Sequence, residues 1–130
     1  MDRARSIIND ESFAQHLGIQ LDSLTPDRVV VRLPYAPHLG IGRVHGGAIS
    51  GLVDVAATAC FWSDPSLTEA SKGATVGFTI NFLSLAVATD LVAIATIRRR
   101  GGTLCTGDVS VQNGDGLEVA TAIVTYKLNR

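Results

Sequence analysis

Apolar and polar positions alternate through most of the second half of the chain. In residues 75–83 (TVGFTINFL), Val76, Phe78, Ile80 and Phe82 alternate with Thr75, Gly77, Thr79 and Asn81. That two-residue period predicts a strand with one apolar face. Residues 90–99, 103–112 and 117–128 read as further strands. Gly101-Gly102 separates the first two, and Asn113-Gly114-Asp115-Gly116 is a hairpin turn between the last two. Near the start, residues 19–24 and 28–33 flank Thr25-Pro26-Asp27. In the second of these, Val29, Val31 and Leu33 point one way and Arg28 and Arg32 the other.

Two segments follow a helical pattern. Residues 4–16 predict a short amphipathic helix, with Ile7, Ile8 and Phe13 apolar and Gly18 as its stop. Residues 46–62 predict a longer helix, apolar on nearly every side, that ends before Asp64-Pro65. Pro34, Pro37, Gly40 and Gly42 punctuate a loop ahead of it, and residues 66–73 form a polar connection behind it.

The pattern is therefore one long central helix and about six strands, with hairpin-like links after the helix. This is α+β, a single domain over residues 1–130, with an antiparallel sheet curled around the helix. Leu91, Ala93, Ala95 and Ile97 can meet the helix, but Val92 and Ile94 make the other face of that strand apolar too. A second subunit is the simplest cover for it.

Composition narrows the class of function. The chain has 130 residues, 46% hydrophobic and 18% charged, with a formal net charge of -1. That is globular, and it excludes an electrostatic nucleic-acid or membrane-surface partner. Two cysteines, Cys60 and Cys105, lie outside any metal-type spacing and read as small buried residues. No metal or cofactor is expected. The N-terminal residues lack an apolar run of signal-peptide length, so a cytoplasmic location is expected. Residues 44–62 approach membrane length, but Asp54 near their centre favours a buried helix over a spanning one.

Candidate chemistry concentrates on that helix. His45-Gly46-Gly47 opens it, where backbone N–H groups lack intrahelical partners and carry partial positive charge. Two side-chain-free residues would let a carbonyl oxygen approach those donors, or equally would let the helix pack tightly on a strand. Asp54 is a weak helix former with no Lys, Arg or His one turn away. It reads as a nucleophile or general base. Thr58, one turn on, shares its face and could hold a water or the carboxylate. His45 reads first as a residue that fixes the helix start, and second as a base. Gly46 and Asp54 are eight residues apart, about 12 Å along a helix axis. If both act on one carbonyl, they come from two helices of a two-fold dimer.

These residues resemble the hotdog-fold thioesterases, most closely the PaaI-like acyl-CoA thioesterases. The resemblance rests on His45-Gly46-Gly47 followed by an acidic residue at Asp54, and on the strands TVGFTINFL and VATAIVTYKL. It extends from about Phe13 to the end of the chain. It implies a hotdog fold, a homodimer or dimer of dimers, and hydrolysis of an acyl-CoA substrate. The Gly46 N–H would polarise the thioester carbonyl, Asp54 of the opposing subunit would attack or activate water, and Thr58 matches a water-holding position. His45, Gly47, His38 and Leu39 would shape the substrate site. Two positions depart from the pattern. Leu39 stands where relatives carry Asn or Gln, and Ser84-Leu85 where they often read Arg-Pro. Arg98, Arg99 and Arg100 are the densest cations and candidates for the CoA phosphates, Arg100 among them. Two other activities share the chemistry: a hydratase or dehydratase on acyl thioesters, which needs His45 as base, and a non-catalytic acyl-CoA binding protein.

Overall fold

A computed structural model describes residues 1–130. Two short helices open the chain, α1 (Asp2–Asn9) and α2 (Ser12–Leu17), where one helix was expected. The break falls at Asp10 and Glu11, the latter with extended backbone as the N-cap of α2. Two helices bury Ala4 and Ile8 separately from Ala14 and Leu17, which one straight rod would not deliver to the same core. Gly18 ends α2 at a φ of 91°, in the left-handed region where glycine is unstrained.

Strands β1 (Gln20–Thr25) and β2 (Arg28–Leu33) form the expected hairpin. A short 3-10 turn, Pro37–Leu39, leads to the central helix α3 (Gly46–Phe61). Then come β3 (Lys72–Phe82), β4 (Leu91–Arg100), β5 (Leu104–Gln112) and β6 (Glu118–Asn129). All pairings are antiparallel and the order is β1-β2-β4-β5-β6-β3. The link from β3 to β4 is thus a crossover and not a hairpin. It carries the chain from one sheet edge to a place beside β2, while β5 and β6 fill the space between.

The sheet buries Val29, Val31, Leu33, Leu91, Ala93, Ala95, Val109, Val111, Val124 and Leu128 against α3. From the helix come Leu52, Val53, Ala56, Ala59, Cys60 and Phe61. Burial pushes the Cys60 thiol up to about 12, against the pull of Arg100, so it remains a neutral packing group. Helix α3 is not enclosed all round. Gly47, Ser50, Gly51, Asp54 and Thr58 form a partly open stripe at helical spacing, on the side that the central strands leave uncovered and that the edge strand β3 reaches. No helix is long and apolar enough to cross a membrane.

Strand β3 differs from its sequence pattern in one respect that matters. A β-bulge lies between Thr75 and Gly77, so Thr75 pairs with Tyr126 and Gly77 with Thr125. The extra residue, Val76, breaks the two-residue period. Thr75 therefore shares the helix-facing side with Phe78, Ile80 and Phe82, instead of opposing them. As an edge strand, β3 leaves Val76, Phe78 and Phe82 largely exposed, and Leu83, Leu85 and Val87 continue the apolar run. By contrast Val92 and Ile94 on the outer face of β4 are already half-buried within one chain. The surface most in want of a cover is the β3 edge and not the back of β4.

Candidate active site

The start of α3 is held from both sides. Val44 N–H donates to Ala86 O at 2.8 Å and His45 N–H to Leu39 O at 2.7 Å. His45 is the N-cap, and its Nδ1 accepts the Gly47 N–H at 2.8 Å. The ring hydrogen of the neutral imidazole is then on Nε2. Ala48 and Ile49 both donate to His45 O. Of the first-turn donors this leaves the Gly46 N–H with no protein acceptor. A Cβ on Gly47 would stand 3.1 Å from His45 Nδ1, and one on Gly46 would stand 3.3 Å from the Phe82 ring. The missing side chains thus permit close packing and leave one backbone donor open. Gly46 faces a cavity of about 210 Å³ lined by Arg43, His45, Phe82, Ser84 and Leu85 among others.

Asp54 is not sealed in the core. It sits midway along the open stripe of α3, where Thr75 Oγ1 donates to its Oδ1 at 2.8 Å. The bulge at Val76 is what aims Thr75 at it. Asp54 and Thr58 line one cavity of about 150 Å³ with Val55, Ile7, Phe13 and Glu11. The α2 helix comes this close because residue 51 is glycine. A Cβ there would meet Leu17 at 3.0 Å and Phe13 at 3.1 Å. Behind the site, Trp62 Nε1–H donates to Tyr126 Oη at 2.8 Å. Burial raises the Tyr126 phenol, the Trp62 hydrogen bond lowers it, and the charge of Asp54 raises it further.

One chain does not bring the expected residues to one place. Gly46, His45 and Gly47 are at the helix start, and Asp54 with Thr58 opens into a different cavity. Leu39 is 2% exposed and packs in the core, so its side chain lines neither cavity and only its carbonyl serves the site, by fixing His45. His38 lies on the outer surface, stacked edge-on to His16 at 5.4 Å and bonded through Nε2 to His16 O. Arg100 corrects the expected phosphate contact. Its Nη1 donates to Phe61 O and its Nη2 to Cys60 O, while Nε and Nη2 grip Asp27 Oδ1 at 3.0 and 2.8 Å. It caps the far end of α3, where a cation suits the exposed carbonyls. Arg43, which has no acidic partner, lines the Gly46 cavity instead.

Three site residues were not legible in the sequence. Thr75 was hidden by the bulge, and Glu11 and Phe13 by the break between α1 and α2. The one usable signal was Gly51, a side-chain-free residue on the face shared by Asp54 and Thr58.

An antiparallel sheet wrapped around one long helix, with a glycine-opened helix start and a carboxylate two turns on, defines the hotdog class. The chain belongs to the thioesterase superfamily, whose profile matches residues 41–120. A search among curated proteins returns no significant match. Among solved structures, a thioesterase family protein from Silicibacter pomeroyi is similar at 27% identity and a TM-score of 0.88, over 98% of this chain and 96% of that one. The PaaI protein of E. coli shares the fold at 21% identity and a TM-score of 0.87, over 99% and 92%. A hypothetical thioesterase from Streptococcus pneumoniae, solved with coenzyme A, has 23% identity and a TM-score of 0.79, over 90% and 91%.

Proposed function

We propose that the protein hydrolyses acyl-CoA thioesters to free acid and CoA, as a homo-oligomer whose active sites each combine two chains. The observation that carries this is the separation of the two reactive groups. The Gly46 N–H and the Asp54 carboxylate open into different cavities. They lie about 12 Å apart along one helix, too far to serve one carbonyl. Two antiparallel copies of α3, related by a two-fold axis, would bring each Gly46 to the partner's Asp54. The apolar edge strand β3 is the natural seam for such a pair, because its outer backbone groups can extend the sheet into a second copy. The Streptococcus pneumoniae neighbour solved with coenzyme A supports the ligand class.

In this reading the Gly46 N–H hydrogen-bonds the thioester oxygen and stabilises the charge that grows there. Thr75 holds Asp54 Oδ1, leaving Oδ2 to take a proton from water. Thr58, on the same wall, gives that water a second contact. The water oxygen bonds to the carbonyl carbon, the C–S bond breaks, and CoA leaves as thiolate and takes up a proton. His45 is the residue that a hydratase would need as base, but its Nδ1 already accepts the Gly47 N–H. The free thiols Cys60 and Cys105 fit a reducing, cytoplasmic setting. The test is CoA release over a panel of acyl-CoAs, followed by Asp54→Asn on the best substrate. Absence of hydrolysis across the panel would leave the binding-protein alternative.

A further inference from the structure

We propose that Glu11 is a charge filter in the acyl pocket, so that the site accepts neutral acyl groups and turns away those ending in a carboxylate. The inference rests on the acyl-CoA reading of the site and goes beyond it to the class of acyl group. It begins with an unused side chain. Glu11 is the N-cap of α2, a position where a side-chain oxygen ordinarily accepts an N–H from the first turn. Here it makes no such bond, and no ion pair or side-chain hydrogen bond holds it elsewhere. It lines the Asp54 cavity instead.

The remaining wall decides what that carboxylate does. Asp54 is the only other ionisable lining group, and it is held by Thr75. Ile7, Phe13 and Val55 supply apolar surface, and no Lys, Arg or His lines the cavity. A neutral chain gains from that wall. Glu11 is exposed at the cavity mouth, so a terminal carboxylate entering there would meet two like charges, screened in part by solvent, and find no cation. Discrimination of this kind works by an unfavourable element built against the wrong ligand. Within one chain the cavity has a volume of about 150 Å³, room for a group the size of benzene.

The test compares butyryl-CoA with succinyl-CoA, which differ chiefly in the terminal carboxylate, using wild type, Glu11→Gln and Glu11→Lys. Wild type should favour butyryl-CoA in kcat/KM by about tenfold. The butyryl-to-succinyl ratio should fall about threefold in Glu11→Gln and further in Glu11→Lys, mainly through the KM for succinyl-CoA. In parallel, calorimetry measures binding of two thioethers with no thioester to cleave, S-butyl-CoA and S-(3-carboxypropyl)-CoA. Their affinity ratio should shift in the same direction. If the thioether ratio moves while neither thioester is cleaved, the filter stands and the hydrolase reading falls. A ratio that stays the same in both variants, or a wild type indifferent to the carboxylate, overturns the filter. Failure of wild type to bind either thioether, with neither thioester cleaved, overturns both.

Discussion

Thr75 Oγ1 lies 2.8 Å from Asp54 Oδ1, across the gap between the edge strand and the central helix. It is the only protein hydrogen bond to that carboxylate, so it fixes the rotamer in which the other oxygen is free. Thr75→Val keeps the shape and removes the donor. Turnover should fall about tenfold with KM changed less, because the loss is in aiming the base. Thermal melting should stay within a few degrees, since Thr75 is only half-buried. Equal losses in kcat and stability would assign the bond to folding alone.

Asp54→Asn should keep the fold and lose most turnover, because an amide is neither base nor nucleophile. Single-turnover hydrolysis in ¹⁸O-water then separates the two roles. In the wild type a general base puts label into the first acid released, whereas a covalent anhydride that water opens at the Asp54 carbonyl leaves the label on Asp54 and an unlabelled Asp54 oxygen in that acid.

The two-chain site predicts complementation. His45 has φ −62° and ψ 142°, which suits the residue before a proline, so Gly46→Pro can remove the N–H with a small shift of the exposed Phe82 ring. Loss of such a donor costs about 10²–10³ in rate. Homodimers of Gly46→Pro and of Asp54→Asn should both be nearly inactive. Co-refolding the two gives about half mixed dimers, each with one intact site, and so roughly a quarter of wild-type activity. Mixed dimers confirmed by mass but silent in the assay would sink the two-chain site.

Two arginines should separate by phenotype. Arg100→Ala strips the C-terminal carbonyls of α3 and leaves Asp27 without its partner, so stability should drop by about 1–3 kcal/mol with KM unchanged. Arg43→Ala should do the reverse, raising KM for CoA esters more at low salt than at high. Denaturant melts and Michaelis curves at two ionic strengths decide between them.

The Asp64 carboxyl gives an acid-stability prediction. Burial works to raise it, but the N–H and O–H of Ser66 and the charges of Arg100 and Arg130 hold it below its ordinary 3.8. A depressed folded value means stability that is present above the unfolded pKa and lost as pH falls through the folded one. Asp64→Asn should therefore be less stable than wild type at pH 7, with the gap closing as pH falls below the ordinary 3.8. A gap that widens toward acid would reverse the sign and the assignment.

The helix and most strand positions were legible because they rest on local periodicity. Residues 46–62 against Gly46–Phe61, and residues 117–128 against Glu118–Asn129, differ by no more than a residue at each end. What failed was what periodicity cannot encode. The break at Asp10 and Glu11 depends on which core Ile8 and Leu17 must each reach. The crossover after β3 depends on where β5 and β6 later insert. Arg100 looked like a phosphate contact because its partners, Asp27 and the carbonyls of Cys60 and Phe61, are distant in sequence. The chemistry of Asp54 was legible from its misfit in an apolar helix, while Thr75 was assigned to the wrong face because one inserted residue is silent in a hydropathy pattern.

That inserted residue, Val76, marks a phase slip along β3. Before it the odd-numbered residues Gly73 and Thr75 face the helix, and after it the even-numbered Phe78, Ile80 and Phe82 do. Removing Val76 would straighten the ladder and leave Thr75 opposite Tyr126 on the helix side, because Thr75 would then stand two residues before Phe78. The bulge is thus the place where β3 can lose a residue without turning a side chain over.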